Sequence, residues 1–239
     1  RPPPSHLLIM NISTFSGALH RGEWVRDIWS WLFLLVMVLF FEIWAQVSYS
    51  SSFVFNGFNV QSILIFATAP LLLGIGQSLV IISGGIDLSV GFVMGLSAVV
   101  LATVVQSFSG EAHGVALAIG ILITFLVCLI PGLINGLLVT KLKVPPFIGT
   151  LGMYGVARGS GFIIADGMTV PVDNDWLYKI GTGKIFGIPI VVLIVIIAVL
   201  IFHFILSQTK FGQYTYAIGG NREAAIRSGI NVDRHIILI

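Results

Sequence analysis

The residues able to do chemistry in this chain are few, and they fall in three short segments. The first, SGGIDLSVG at 83–91, sets Asp87 two residues after the glycine pair Gly84 and Gly85 and just ahead of an apolar run. Glycine ends a helix easily in a left-handed turn, and a carboxylate at the next helix start accepts backbone hydrogen bonds at the positive end of the helix dipole. Asp87 is therefore expected to cap the following helix. The alternative reading makes Gly84, Gly85 and Asp87 a gate or re-entrant element that moves.

The second segment is VPPFIGTLGMYGVARGSGFIIADG at 144–167. Pro145 and Pro146 stop one helix and start another, while Gly149, Gly152, Gly155, Gly159 and Gly161 weaken its helical propensity. Arg158 lies near the middle of this apolar stretch, where a guanidinium in lipid costs at least ~2.5 kcal/mol unless it is paired or wet. It is expected to face the protein interior, with Glu42 or a carbonyl as partner. A packing ion pair and a place on a substrate path both stay open. Glu42 sits in the first apolar run and raises the same question, at a depth expected to be shallower than its number suggests.

The third segment is TKFGQYTYAIGGNREAAIRSGINVD at 209–233. Asn221 is a good N-cap for a short helix over 222–228, which carries the small residues Ala224 and Ala225, and Gly229 is a natural stop. Such a helix is too short and polar to cross a membrane and too short to persist alone in water. It is either ordinary loop structure or a helix that fits a groove in another protein.

Other chemistry is excluded. Cys128 stands alone inside an apolar run, without a disulfide partner or metal-ligating neighbours. A phosphate-binding GxxxxGK[ST] loop is missing, since Gly183-Lys184 is followed by Ile185. No catalytic residue, metal site or cofactor is expected, and the chain reads as a non-enzyme.

The elements that hold these segments are dictated by composition. Of 239 residues, 56 % are hydrophobic and only 9 % charged, with a mean hydropathy of +1.03. A soluble domain carries roughly a quarter charged residues, so lipid is the solvent for most of the chain. The net charge of +2 is spread over short loops without clustered aromatics, which argues against nucleic acid. A backbone in hydrocarbon must satisfy its own hydrogen bonds, and a crossing helix needs about 20 apolar residues. Six segments meet that length, at 28–47, 60–83, 88–108, 115–140, 147–165 and 188–206, and a seventh is expected to start at His235. The fold class is thus all-α and polytopic.

Cations set the orientation. With the N-terminus inside, Arg1, Arg21, Arg26, Lys141, Lys143, Lys210, Arg222, Arg227 and Arg234 are cytoplasmic, and only Lys179 and Lys184 lie outside, beside Glu111, Asp166, Asp173 and Asp175. Residues 1–27 read as a cytoplasmic arm, 28–239 as the membrane domain, and 208–234 as a cytoplasmic segment within it. Pro70 and Pro131 fall inside spans, and the pairs Gly91/Gly95 and Gly132/Gly136 have the small-xxx-small spacing of close helix packing.

Together GGIDLSVG, PPFIGTLG…ARG and TKFGQYTYAIGGNREAAIRSGI resemble the ribose-type family of ABC sugar importer permeases, from about residue 59 to 231. This is the carbohydrate branch of a superfamily that also holds branched-chain amino acid permeases. The resemblance implies a bacterial inner-membrane protein of usually about ten spans, so the chain is expected to be a fragment. It also implies a periplasmic sugar-binding protein, a second permease subunit, identical or related, and two cytoplasmic ATPase subunits. By the same resemblance Gly219, Gly220, Asn221, Glu223, Ala224, Ala225 and Gly229 form the coupling helix that docks on the ATPase. The amino acid branch departs from GGIDLS, which points to a monosaccharide, and no sugar-contacting residue is carried over. Competing readings are an amino acid permease of the superfamily, an ion-coupled transporter or channel with a relay of Glu42, Asp87 and Arg158, and a membrane scaffold.

Overall fold

The computed structural model describes residues 12–108 and 113–239, the stretch 12–27 as backbone only. Helices α1 (Ile12–Tyr49), α2 (Gly57–Ile82), α3 (Val90–Ser107), α4 (His113–Thr140) and α5 (Pro146–Ile164) come first. Then follow α6 (Asp175–Thr182), a hairpin of β1 (Lys184–Ile185) and β2 (Ile188–Pro189), α7 (Ile190–Gln208), α8 (Lys210–Gly220), α9 (Arg222–Arg227) and α10 (Val232–Leu238). The fold is that of an all-α polytopic membrane protein.

Among the described residues, five helices are long and apolar enough to cross a membrane: Ile28–Tyr49 of α1, and α2, α3, α4 and α7. The remaining predicted span, at 147–165, is α5, which has the length, at 19 residues. Its five glycines and Arg158 leave it less apolar than the others. The predicted seventh helix is α10, which begins at Val232 and not at His235, because Asn231 caps it by accepting from the Arg234 amide at 3.0 Å. The predicted arm is helical from Ile12 in its backbone, and residues 1–11 and Glu111 lie outside the described residues.

The chain divides into two compact units, Arg1–Ser62 and Ile63–Ile239. In the first, the loop after α1 folds back onto Glu42. One carboxylate oxygen of Glu42 accepts from Ser52 Oγ at 3.1 Å and from the amides of Phe53 and Val54, both at 2.8 Å, while the other accepts from Gln46 Nε2 at 3.0 Å. Phe41 stacks on Phe53, the ring centres 5.5 Å apart.

The second unit is built on α3, α4 and α5, with Leu96, Val100 and Ala157 at its core and Phe92, Val93, Val104 and Val127 packed around them. Gly161 lets α5 approach the Leu96 backbone. Gly120 of α4 lies so close to Leu101 and Val105 that a Cβ there would come within 2.9 Å of each. At one end of this unit Asn174 caps α6, accepting from the Trp176 and Leu177 amides, and donates to the His113 carbonyl at 2.9 Å. The adjoining hairpin turns through Phe186 (φ 51°) and Gly187 (φ 82°), the positive pair that matches strand twist in a two-residue turn. The short elements at this end, α6 and the hairpin, have no counterpart in the sequence expectation. At the other end lie α8, α9 and α10.

Candidate functional site

The site is the end of the second unit where α8–α10 meet the junction between α2 and α3. A six-residue helix has no stability of its own, and α9 is fixed from three directions. Asn221 accepts from the Ala224 amide at 2.9 Å and starts the helix as expected. Gly229, at φ 82°, ends it: the Gly229 amide bonds the Ile226 carbonyl at 3.0 Å and the Ile230 amide the Ala225 carbonyl at 3.1 Å. That pair of bonds is a Schellman motif. The third support is apolar, since Ala225 packs with Ile218 of α8 and Val232 of α10, with Ile230 and Ile236 against them. Below this cluster Thr215 Oγ1 and His235 Nε2 share a buried hydrogen bond of 2.9 Å.

The predicted coupling residues therefore split into two groups. Asn221, Glu223 and Ala224 are exposed, whereas Ala225 is 3 % exposed. Ala225 serves internal packing and offers no outer surface, because Ile218 and Val232 already cover it. Gly219 also works internally: a Cβ there would overlap the Ile82 carbonyl oxygen and lie 3.5 Å from Ser83 Cα. The last residues of α8 thus rest directly on the end of α2. Gly220 has open space around it.

At that end Gly84 takes φ 85°, the Gly84 amide bonds the Ile81 carbonyl at 3.0 Å, and the Gly85 amide bonds the Val80 carbonyl at 2.9 Å. A second Schellman motif closes α2, as the glycine pair predicts. Asp87 corrects the expectation. Val90 begins α3, and its N-cap is Ser89. Asp87 lies too early to reach the free amides of that first turn, and its Oδ1 accepts instead from the Ser89 amide at 2.7 Å and the Ser89 hydroxyl at 2.6 Å. Ser89 Oγ in turn accepts from Asn135 Nδ2 of α4 at 3.1 Å, and the Leu88 amide donates to Thr150 Oγ1 of α5 at 3.1 Å. Ser89, Asn135 and Thr150 are all buried. Buried hydrogen bonds of this kind favour one geometry, because each broken bond strands a polar atom, although Asn135 Oδ1 itself has no partner among the described residues. The junction is bolted to both α4 and α5.

One cavity of about 130 Å³ joins the two motifs, lined by Gly84, Gly85 and Asp87 of the junction, Asn135 and Gly136 of α4, and Arg222 at the start of α9. Gly136, one half of the predicted close-packing pair, brings Ile237 Cα of α10 within 3.0 Å of where a Cβ would stand. Gly132, Gly91 and Gly95 have no such neighbour. On the outer rim Asp233 gathers Lys141 and Lys143 at 3.7 Å each and Arg222 at 3.5 Å. Sequence reasoning missed this carboxylate as well as Ser89, Asn135 and Thr150. A lone asparagine inside the apolar run of α4 was the available signal.

Glu42, in the first unit, has its carboxylate filled by its own loop. In the second unit the guanidinium carbon of Arg158 lies over the Phe92 ring at 5.6 Å, and Arg158 is exposed, not turned into the core as expected.

With the geometry in place, comparison with known proteins decides the family. Residues 59–239 match the family described as "Branched-chain amino acid transport system / permease component". The chain belongs to this permease family. Among its relatives, the ribose import permease protein of Bacillus subtilis (strain 168) is 36 % identical over 183 residues, which cover 76 % of this chain and 55 % of that protein. The fructose import permease protein of Rhizobium meliloti is 33 % identical over 196 residues, covering 77 % of this chain and 52 % of the relative. The ribose import permease protein of Escherichia coli (strain K12) is 32 % identical over 237 residues, covering 96 % of this chain and 70 % of the relative. The chain spans about half the length of the first two of these relatives. No solved structure matches it. The family match takes in the α2–α3 junction, α5 and the α8–α10 end of this permease and excludes Glu42.

Proposed function

We propose that this permease is the membrane-spanning part of an ATP-driven monosaccharide importer, and that α9 is the contact through which a separate ATPase drives it. The observation that carries the reading is the direct seating of the α8–α10 end on the α2–α3 junction through Gly219 and Ile82. A force applied to α9 reaches α8 and α10 without slack, because Ile218, Ala225 and Val232 form one packed cluster. From there it reaches the end of α2 through Gly219 and the last turns of α4 through Gly136. The junction in turn is hydrogen-bonded to α4 and α5, so the ends of four membrane helices respond together.

Charge supports the direction. The end with α8–α10 carries Lys141, Lys143, Lys210, Arg222, Arg227 and Arg234, and the opposite end only Lys179 and Lys184, beside Asp166, Asp173 and Asp175. On the positive-inside rule the α8–α10 end reads as cytoplasmic, which supports an ATPase contact there in a bacterial inner-membrane permease whose N-terminus we propose is cytoplasmic. The outer face of α9 then presents Glu223, Ala224, half-exposed Ile226 and Arg227 to the partner. A second permease subunit and a periplasmic sugar-binding protein complete the assembly.

The family description names an amino acid system, and the relatives are named for ribose and fructose import. The sugar reading follows those relatives and the GGIDLS junction. The test is uptake by the full-length permease reconstituted in proteoliposomes with its ATPase and binding protein. Labelled D-ribose, D-fructose, D-allose and L-leucine are offered. The reading expects accumulation of at least one sugar that requires ATP and survives a protonophore. Uptake that persists without the ATPase and collapses with the proton gradient contradicts it in favour of an ion-coupled transporter, and ATP-driven uptake of leucine alone assigns the amino acid class.

A further inference from the structure

We infer that the groove beside Arg158 is a monosaccharide subsite on the path through the membrane, a step that rests on the importer reading above. Arg158 follows the first residue of α5 by 12 positions and precedes the last by 6, so it lies roughly 18 Å from one end of the helix and roughly 9 Å from the other. A permanent cation at that depth must meet water, a carboxylate or a polar ligand. Among the described residues it has no carboxylate partner, and its guanidinium lies over the Phe92 face. Phe92 is itself held edge-on by Tyr154, with ring centres 4.2 Å apart. An aromatic face occupies one side of a guanidinium and leaves N–H donors along its planar edge free.

Those donors border a groove of about 410 Å³, lined also by Gly95, Phe162, Met168 and Thr169. The volume falls in the roughly 300–1,000 Å³ range of small-molecule sites. Gly95 leaves it room, since a Cβ there would touch nothing within 4 Å. Met168 and Thr169 follow the end of α5, so the groove runs from Arg158 toward the face opposite α8–α10, the face from which an imported sugar arrives. Its chemistry suits a neutral polyol. Adjacent hydroxyls accept two parallel N–H bonds from one guanidinium, and the C–H face of a pyranose or furanose lies against an aromatic ring.

The experiment places single cysteines in the full-length permease–ATPase complex, with Cys128→Ser as background, in proteoliposomes probed by a membrane-impermeant methanethiosulfonate. Arg158→Cys and, as a variant that keeps the arginine, Thr169→Cys are expected to react from the face opposite α8–α10. Saturating D-ribose, without binding protein, is expected to slow Thr169→Cys at least fivefold and to leave Arg158→Cys, which lacks the guanidinium, little changed, and L-leucine to leave both unchanged. Ile163→Cys, exposed but outside the groove, is expected to stay unreactive. Arg158→Met should lower sugar uptake at least tenfold while the complex keeps its basal ATP hydrolysis, and Arg158→Lys should restore part of the uptake. Cysteines at 158 and 169 that never react, or a Thr169→Cys rate that the sugar does not change, overturn the subsite while ATP-driven uptake by the unaltered complex still upholds the importer. Protection by leucine in place of ribose overturns the monosaccharide class.

Discussion

Two regions of the second unit use glycine in opposite ways. At the α8–α10 end Gly219 and Gly136 are places where another backbone arrives, so no side chain fits. Around α3 and α5, Gly95, Gly152, Gly155 and Gly159 face nothing within 4 Å of a would-be Cβ. The polar groups divide likewise: Asp87, Ser89 and Asn135 are linked by hydrogen bonds and Thr150 holds the Leu88 amide, while the guanidinium of Arg158 lies over an aromatic face. A region that must transmit displacement has to be without slack, and a region that must pass a solute has to keep room. The same residue type supplies both, through contact in one case and its absence in the other.

The contrast breaks most readily at Gly219. Gly219→Val is expected to destabilise the protein by on the order of 3 kcal/mol, because a side chain cannot displace the Ile82 carbonyl without moving backbone. Gly155→Ala should instead leave stability unchanged or raise it by roughly 0.5–1 kcal/mol, by the helical preference of alanine. Melting midpoints of the detergent-purified variants check the pair, and equal losses at the two positions would erase the distinction. Next in size, Ala225→Leu should cost roughly 1–3 kcal/mol by overfilling the Ile218–Val232 cluster. The exposed neighbour Ala224→Leu should cost little stability yet weaken ATPase binding in a pull-down, which separates the inner from the outer face of α9.

Asn221→Ala should lower stability by about 1 kcal/mol through loss of the bond to the Ala224 amide. The smallest effect belongs to Asp233→Asn. Its three cations stand at 3.5–3.7 Å on partly exposed side chains, and such pairs are worth roughly 0–1 kcal/mol and fade with salt. A midpoint shift that persists in molar salt would mean that the cluster is tighter than its distances indicate.

What could be read from the sequence was local. Asn221, Gly229 and the Gly84–Gly85 pair are legible because a cap or a Schellman turn is specified within about six residues of chain. The spans are legible because hydrocarbon demands long apolar runs. Helix α8 was missed: its polar residues hide a helix that Thr209 caps through the Gly212 amide at 3.4 Å and that gains its stability from packing on α9 and α10. Asp87 lies on the expected turn but does not cap α3, since it stands two residues before the N-cap Ser89 and that register decides which amides it can reach. The bonds from Asn135 to Ser89 and from Leu88 to Thr150 join positions 46 and 62 residues apart, which no local pattern encodes. The same holds for Arg158, whose aromatic partner lies on another helix.

The most direct test of the whole account is the position of α9 in the assembled transporter. With Cys128→Ser as background, Glu223→Cys in the full-length permease is treated with a short bifunctional thiol reagent and with an impermeant maleimide, in inside-out and right-side-out vesicles. The account predicts a crosslink to the ATPase subunit and labelling from the cytoplasmic face alone. Labelling from the external face, or a thiol that is open on the cytoplasmic side yet never joins the ATPase, would contradict it.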